Sequence, residues 1–345
     1  MNLIKNLYHR NKIFNFLGRV LINKKNYLFK SYSRECNKRS ELDIFDVRNL
    51  SKNMDMYLED TSPDGALYGI IHWIKKFADI DQIINFNIEH GVYLGDLVRD
   101  ESLNSIYKGT ITFSKYRKKI LDKNNKKKNI AIGPYIHYAN DYYSKDVINK
   151  IKRKNNETLV FFPPHSIKGY KADYNKKKIY DRLDEYKSNY ETIMVCLYYK
   201  DVNKKLVSYL SNRGFKVVSA GHIYDFNFLS RLKSIINLSD HTVSMSVGTH
   251  IGYCIYLDKS HEIISYNKNK FNENNRSFNI VKDEDIKKRG REYQIKFKND
   301  EKEIISHFFN AGNLINNNQL KICNKFWGFD QIKTKDELNR LLLKF

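Results

Sequence analysis

The chain has 345 residues, 41% of them apolar and 14% aromatic, which allows a sizeable core and excludes a disordered chain. Sixty-one Lys and Arg against 39 Asp and Glu leave a formal charge of +22, which points to anionic partners: nucleic acid, nucleotide diphosphates or the anionic face of a membrane. Lys, Asn, Ile and Tyr are abundant together, so part of that excess reads as coding bias and solvated surface, while the four scattered cysteines (Cys36, Cys196, Cys254, Cys323) form no CxxC pair and suit a reducing cytoplasm.

Residues 1–45 read as a basic amphipathic segment. Ile13, Phe14, Phe16, Leu17, Val20 and Leu21 share one helix face flanked by Lys and Arg. The apolar patch from Ile13 to Ile22 is interrupted by Arg19 and is too short to span a bilayer. It suits an interfacial membrane helix or an amphipathic helix packed on the neighbouring domain. No secretory signal is evident.

Residues 46–150 read as an N-terminal α/β domain. LYGIIHWIKKF, 67–77, has helical periodicity, and IINFNIEHG, 83–91, is a strand ending in Glu89-His90-Gly91. Glycine lets the backbone turn there, so Glu89 or His90 is a candidate general base on a hydroxyl, or the turn is simply polar. KYRKKILDKNNKKKN, 115–129, is the strongest linker candidate, or else a surface loop inside this domain. NIAIGPYIHYA, 129–139, reads as the next strand. DIDQ at 79–82 and DED at 283–285 match a loose Asp-x-Asp metal pattern, but neither ends an apolar strand, and no metal site is expected.

From about 155 to 270 five apolar runs alternate with helical segments: TLVFFPPHS (158–166), TIMVCLYY (192–199), FKVVSA (215–220), TVSMSV and EIISYN (262–267). The intervening stretches 171–190, 200–213, 226–239 and 250–260 can hold helices. That pattern predicts a buried parallel sheet, and the domain is bounded at 151–300. Ligands of such sheets lie at the carboxyl ends of the strands. His165 and Ser166 follow one strand, His222 another, and Ser246, Gly248, Thr249, His250 and Gly252 form a small-residue loop after a third. Those loops suit a donor diphosphate, with the alternatives of a plain Pro turn at His165 and of an N-cap at Asp225. Arg231 reads as solvated, and residues 301–345 as a helical tail packing back on the first domain.

The turn IEHG (88–91), GPYIHYA (133–139), FPPHS (162–166), VCLYYKD (195–201) and the block from Ala220 to Ile255 together resemble GT-B-fold glycosyltransferases of bacterial surface-polysaccharide assembly, such as capsule and O-antigen. The resemblance covers about residues 60 to 260, and the order of the motifs is its specific part. The HG turn and the His/Ser loops are also similar to polyol-phosphate transferases and to GT-B sialyltransferases. The acidic Asp/Glu-Asp/Glu-Gly motif of the latter is matched only in part, since Glu89 is followed by His90 and the other candidate is Ser62-Pro63-Asp64-Gly65.

The resemblance implies two Rossmann-like domains facing across a cleft, with the acceptor on the N-terminal one and the nucleotide-sugar on the C-terminal one. It implies a metal-independent glycosyltransferase without cofactor, acting on a glycan or lipid-linked acceptor in the cytoplasm or at the inner face of the plasma membrane. Glu89 or His90 would then be the base, and His165, Ser166, His222, Ser246, Gly248 and Thr249 would hold the donor. The alternatives are a polyol-phosphate transferase using CDP-alcohols and a basic nucleic-acid-binding protein.

Overall fold

A computed structural model describes residues 2–166, 172, 174–264 and 284–343, with side chains described except at 2–3 and 284–292. Three helices open the chain: α1 (Asn2–Arg10), α2 (Lys12–Phe29) and α3 (Ser31–Ser40). Asn11 caps α2 by accepting from the Ile13 and Phe14 N–H groups. A short α4 (Val47–Leu50), a 3₁₀ segment over Pro63–Gly69 and α5 (Ile70–Ala78) follow.

The first sheet is parallel, in the order β1 (Asn87–Ile88), β2 (Thr110–Thr112), β3 (Ile130–Ala131), with α6 (Asp100–Leu103) and α7 (Lys115–Asn124) between its strands. These strands are shorter than the apolar runs that predict them: 83–91 yields two paired residues, and 129–139 passes into a 3₁₀ turn at Tyr135–His137. The lysine-rich stretch is neither a linker nor a loop. Most of it is α7, whose Arg117, Ile120 and Leu121 are buried against the sheet while the lysines stay in water.

Helix α8 (Lys145–Asn155) leads to a second, five-stranded parallel sheet. Its strands are β4 (Thr158–Phe162), β5 (Thr192–Cys196), β6 (Lys216–Val218), β7 (His241–Ser244) and β8 (Ser260–Ile263), in the order β6-β5-β4-β7-β8. Helices α9 (Lys176–Asp184), α10 (Lys204–Asn212), α11 (Phe228–Leu238) and α12 (Thr249–Tyr256) make the connections, the first three within the stretches expected to hold them and α12 starting one residue early, so that Thr249, His250 and Gly252 are helical rather than loop residues. β4 is buried at every position, as a central parallel strand requires. β7 carries a polar ladder instead: His241 bonds Ser260, and Thr242 and Ser244 each bond His261 on β8, at 2.7, 2.9 and 3.0 Å. Pairing those groups with each other removes the cost of burying them. Of the run at 262–267, Glu262 and Ile263 lie in β8, and 265–267 fall outside the described residues, as does Asp283 of the DED pattern, whose other side chains are likewise not described.

Strand order reverses beside β4: the chain moves outward through β5 and β6, then crosses back to lay β7 on β4's other flank. Such a switch point leaves a crevice at the carboxyl ends of the two central strands. The last helices are α13 (Glu284–Phe308), α14 (Asn317–Trp327) and α15 (Lys335–Leu343). α14 packs on α7 and α12, and α15 on α5. The stretch after α3 is tied to the exit of β6, where Ser219 and His222 donate backbone bonds to Ile44 and Leu50.

Candidate active site

The exits of β4 and β7 place His165 and the loop 245–249 on either side of the switch point. The exit of β1 arrives at the same place: the Val92 N–H donates to Thr249 Oγ1 at 3.1 Å, joining the HG turn to the first residue of α12. Gly248, extended at φ −163°, is the N-cap of α12 but offers no side chain, so the first N–H groups of that helix lie beside the HG turn.

Glu89 and His90, adjacent in sequence just past the end of β1, have different surroundings. Glu89 is buried, receives two hydrogen bonds from Arg117 Nε and one from Nη2 at 2.6 to 3.0 Å, and accepts from Thr112 Oγ1 at 2.7 Å. Closed to solvent and engaged by both Arg117 and Thr112, Glu89 has the surroundings of a structural ion pair rather than those of a base open to an acceptor. His90 is half-buried, with Nδ1 closed to solvent 3.3 Å from Asp64 Oδ2, though not aligned for a hydrogen bond. Its solvent-facing surface is therefore the rest of the ring. Asp64 sits in the 3₁₀ segment and also pairs with Arg99. Burial alone would raise its pKa, but Arg99 and His90 together hold the carboxyl well below the usual range.

Tyr68 continues the wall. Its φ of +62° is left-handed, and its N–H donates to Ile223 O at 2.6 Å. The next residue must be glycine: φ is +72° at Gly69, and a Cβ there would lie 2.1 Å from Phe226 O. The kink turns the Tyr68 ring to 6.2 Å from His90 and brings its hydroxyl close to Tyr198 at the exit of β5. Tyr198 in turn lies 4.8 Å from His165. His165 is reached by solvent while protein surrounds it on most sides, and that crowding lowers its pKa, Asp201 opposing and Lys200 assisting. His250 stacks on Phe162 at 5.0 Å. Its Nε2 is enclosed without a hydrogen-bond partner, and burial, aided by His165, holds its pKa down to about 3. His250 is therefore a neutral donor or acceptor near neutral pH.

The other expected donor ligands divide. Ser246 is exposed at the crevice, and Gly248 and Thr249 form the start of α12. Ser166 is committed elsewhere, its Oγ donating to Asp201 at 2.5 Å and its N–H to the same carboxylate at 2.9 Å. His222 is buried at the exit of β6, on the far side of β5, its ring 4.3 Å from Tyr199. Burial, with Arg39 and Lys200 nearby, pushes its pKa down to about 4. It holds its own loop by accepting from the Tyr224 N–H. Asp225 does not cap α11, which begins after Asn227. It accepts from the Asn227 N–H and from Arg231, and both charged side chains are fully enclosed, so Arg231 is not solvated.

Sequence reasoning left Asp64, Tyr68, Arg99 and Tyr198 outside the site. Asp64 carried a signal, the partial acidic motif at 62–65; the others carried none, because chain folding alone brings them to His90 and His165. Among the described residues no group of three or more His, Cys, Asp or Glu is placed to hold a metal ion. No family model matches the sequence, and no curated protein matches it. Three solved structures are similar in overall course, all of the wall teichoic acid polymerase TagF. One covers 97% of this chain and 98% of that chain at 12% identity and TM-score 0.43. A variant soaked with CDPG covers 96% and 98% at 11% identity and TM-score 0.45. A further variant covers 91% and 97% at 13% identity and TM-score 0.38.

Proposed function

We propose that the chain is a glycosyltransferase that moves a sugar from a nucleotide-sugar to a hydroxyl of a glycan or lipid-linked acceptor in surface-polysaccharide assembly, with two Rossmann-like units facing across the crevice. The observation that carries this reading is the Asp64–His90 pair set directly against the N-terminus of α12 at the switch point. A base for a hydroxyl and a cradle for a diphosphate are the two parts such a transfer needs.

In this mechanism the exposed edge of His90 takes the acceptor proton, and Asp64 fixes the ring and stabilises the imidazolium. The acceptor oxygen then bonds to the anomeric carbon as the carbon–phosphate-oxygen bond breaks, and the diphosphate leaves with the electron pair. The first N–H groups of α12, Ser246, His165 and His250 receive that growing charge. Tyr68 and Tyr198 wall the space between base and cradle.

The test is a donor screen scored by product mass and by the nucleotide released. Nucleoside diphosphate release with a hexose-sized mass gain supports sugar transfer, whereas nucleoside monophosphate release from a CDP-alcohol assigns polyol-phosphate transfer to the same site. His90→Ala lowers kcat by about 10²- to 10⁴-fold with an unchanged melting temperature. Asp64→Asn lowers it less, since the base remains. Unchanged turnover in His90→Ala removes the reading.

A further inference from the structure

Helix α2 is built inside out. The residues it turns toward the protein are polar: Asn15 and Asn23 are each 2% exposed, two helical turns apart. Asn15 donates to Thr61 O at 3.1 Å, while Asn23 donates to Leu58 O and accepts from the Leu58 N–H at 2.9 and 2.8 Å. Its apolar residues face outward instead. Ile13 is 68% exposed, Leu17 49%, Leu21 71% and Leu28 62%, with Phe14, Phe16 and Val20 beside them. Their spacing of four, four and seven residues makes one continuous stripe down the helix. A stripe of that length left bare on a folded chain marks an interaction surface.

The charge around it selects the occupant. Residues 1–34 contain eight Lys or Arg and no Asp or Glu, the first acid being Glu35. Lys24 is exposed on the stripe, Lys12 and Lys30 are exposed at the two ends of the helix, and Tyr27 is 59% exposed. Long lysines extend around an apolar face to reach phosphates, and aromatic rings favour the headgroup level. The helix does not traverse a bilayer, because its opposite face is bonded to residues 58 and 61, and among the described residues no helix is long and apolar enough to cross one.

We propose that the outward face of α2 is an in-plane anchor that seats the protein on a bilayer surface rich in anionic lipid. The inference stands apart from the proposed reaction, because it uses none of the site residues and its test needs no substrate.

The full chain is sedimented with vesicles of phosphatidylcholine alone and with phosphatidylglycerol added, at physiological salt. The expected result is binding that rises steeply with phosphatidylglycerol. Leu17→Glu/Leu21→Glu lowers the partition coefficient at least tenfold without lowering the melting temperature, as both side chains lie largely in solvent. Lys12→Gln/Lys24→Gln lowers binding to the anionic vesicles alone. Phe16→Trp adds an emission that shifts to the blue on those vesicles, against the constant signal of buried Trp73 and Trp327. No sedimentation with anionic vesicles, equal binding by Leu17→Glu/Leu21→Glu, or equal binding to both lipid mixtures overturns the proposal. So does a vesicle-indifferent dimer that the double Glu substitution converts to monomer, which gives the face to a second copy of the chain.

Discussion

Glu89 and His90 show how one residue step divides structure from chemistry. Glu89 with Arg117 is a buried ion pair, both side chains nearly closed to solvent. Removing one charge strands the other, which costs about 3–5 kcal/mol. Glu89→Gln is therefore expected to lower the denaturant midpoint strongly while leaving kcat per folded molecule near normal, the reverse of His90→Ala; equilibrium urea unfolding alongside turnover separates the two. His222 gives a second residue-scale expectation. Its folded pKa of about 4 lies below the ordinary 6.5, so the unfolded chain binds the proton first and stability falls as pH drops from about 6.5 to about 4. His222→Gln removes that loss, worth up to about 3 kcal/mol at pH 4. Between pH 7 and pH 4 the parent's unfolding free energy should fall relative to the variant's by up to that amount. A His222→Gln profile parallel to the parent's would show that the imidazole titrates normally.

At the scale of elements, α12 is held from two sides. Thr249 fastens it to the HG turn, and its carbonyl accepts from Trp327 Nε1 at 3.0 Å. Trp327 of α14 lies so close that a Cβ on Gly252 would stand 2.2 Å from Cγ of its ring. Gly252→Ala is expected to push α14 away, destabilise the fold by about 1–3 kcal/mol, and raise donor KM more than it lowers kcat; thermal unfolding and initial rates measure both. The strand, loop and helix at α12 were legible in order, because an apolar run, a Gly-containing loop and a helical stretch follow each other, but the loop ends at Gly248 rather than at Gly252. Sequence reasoning misread α7. A run with four lysines and an arginine in ten residues looks solvated, yet a helix needs only one face, and Arg117, Ile120 and Leu121 supply it. It also missed β2, whose Thr110 and Thr112 read as polar although both are buried.

For the whole molecule, the parallel second sheet and its connections were legible from the alternation of apolar runs and helical stretches. The strand order and the convergence of β1 on the switch point were not, since long-range pairing leaves no local pattern. For the same reason His222 and His165 were expected along one edge, although β5 stands between their strands. The sheet order has a consequence in time. β4 can pair with β5 as soon as α9 has formed, but its other flank waits for β7, whose His241 registers with Leu159 only after β5, α10, β6 and α11 have been laid down. Such distant closures are the slow steps of folding. The crevice between β4 and β7 is thus absent until β7 has been added, and a nascent or partly refolded molecule holds the Asp64–His90 pair without the cradle that gives it something to act on.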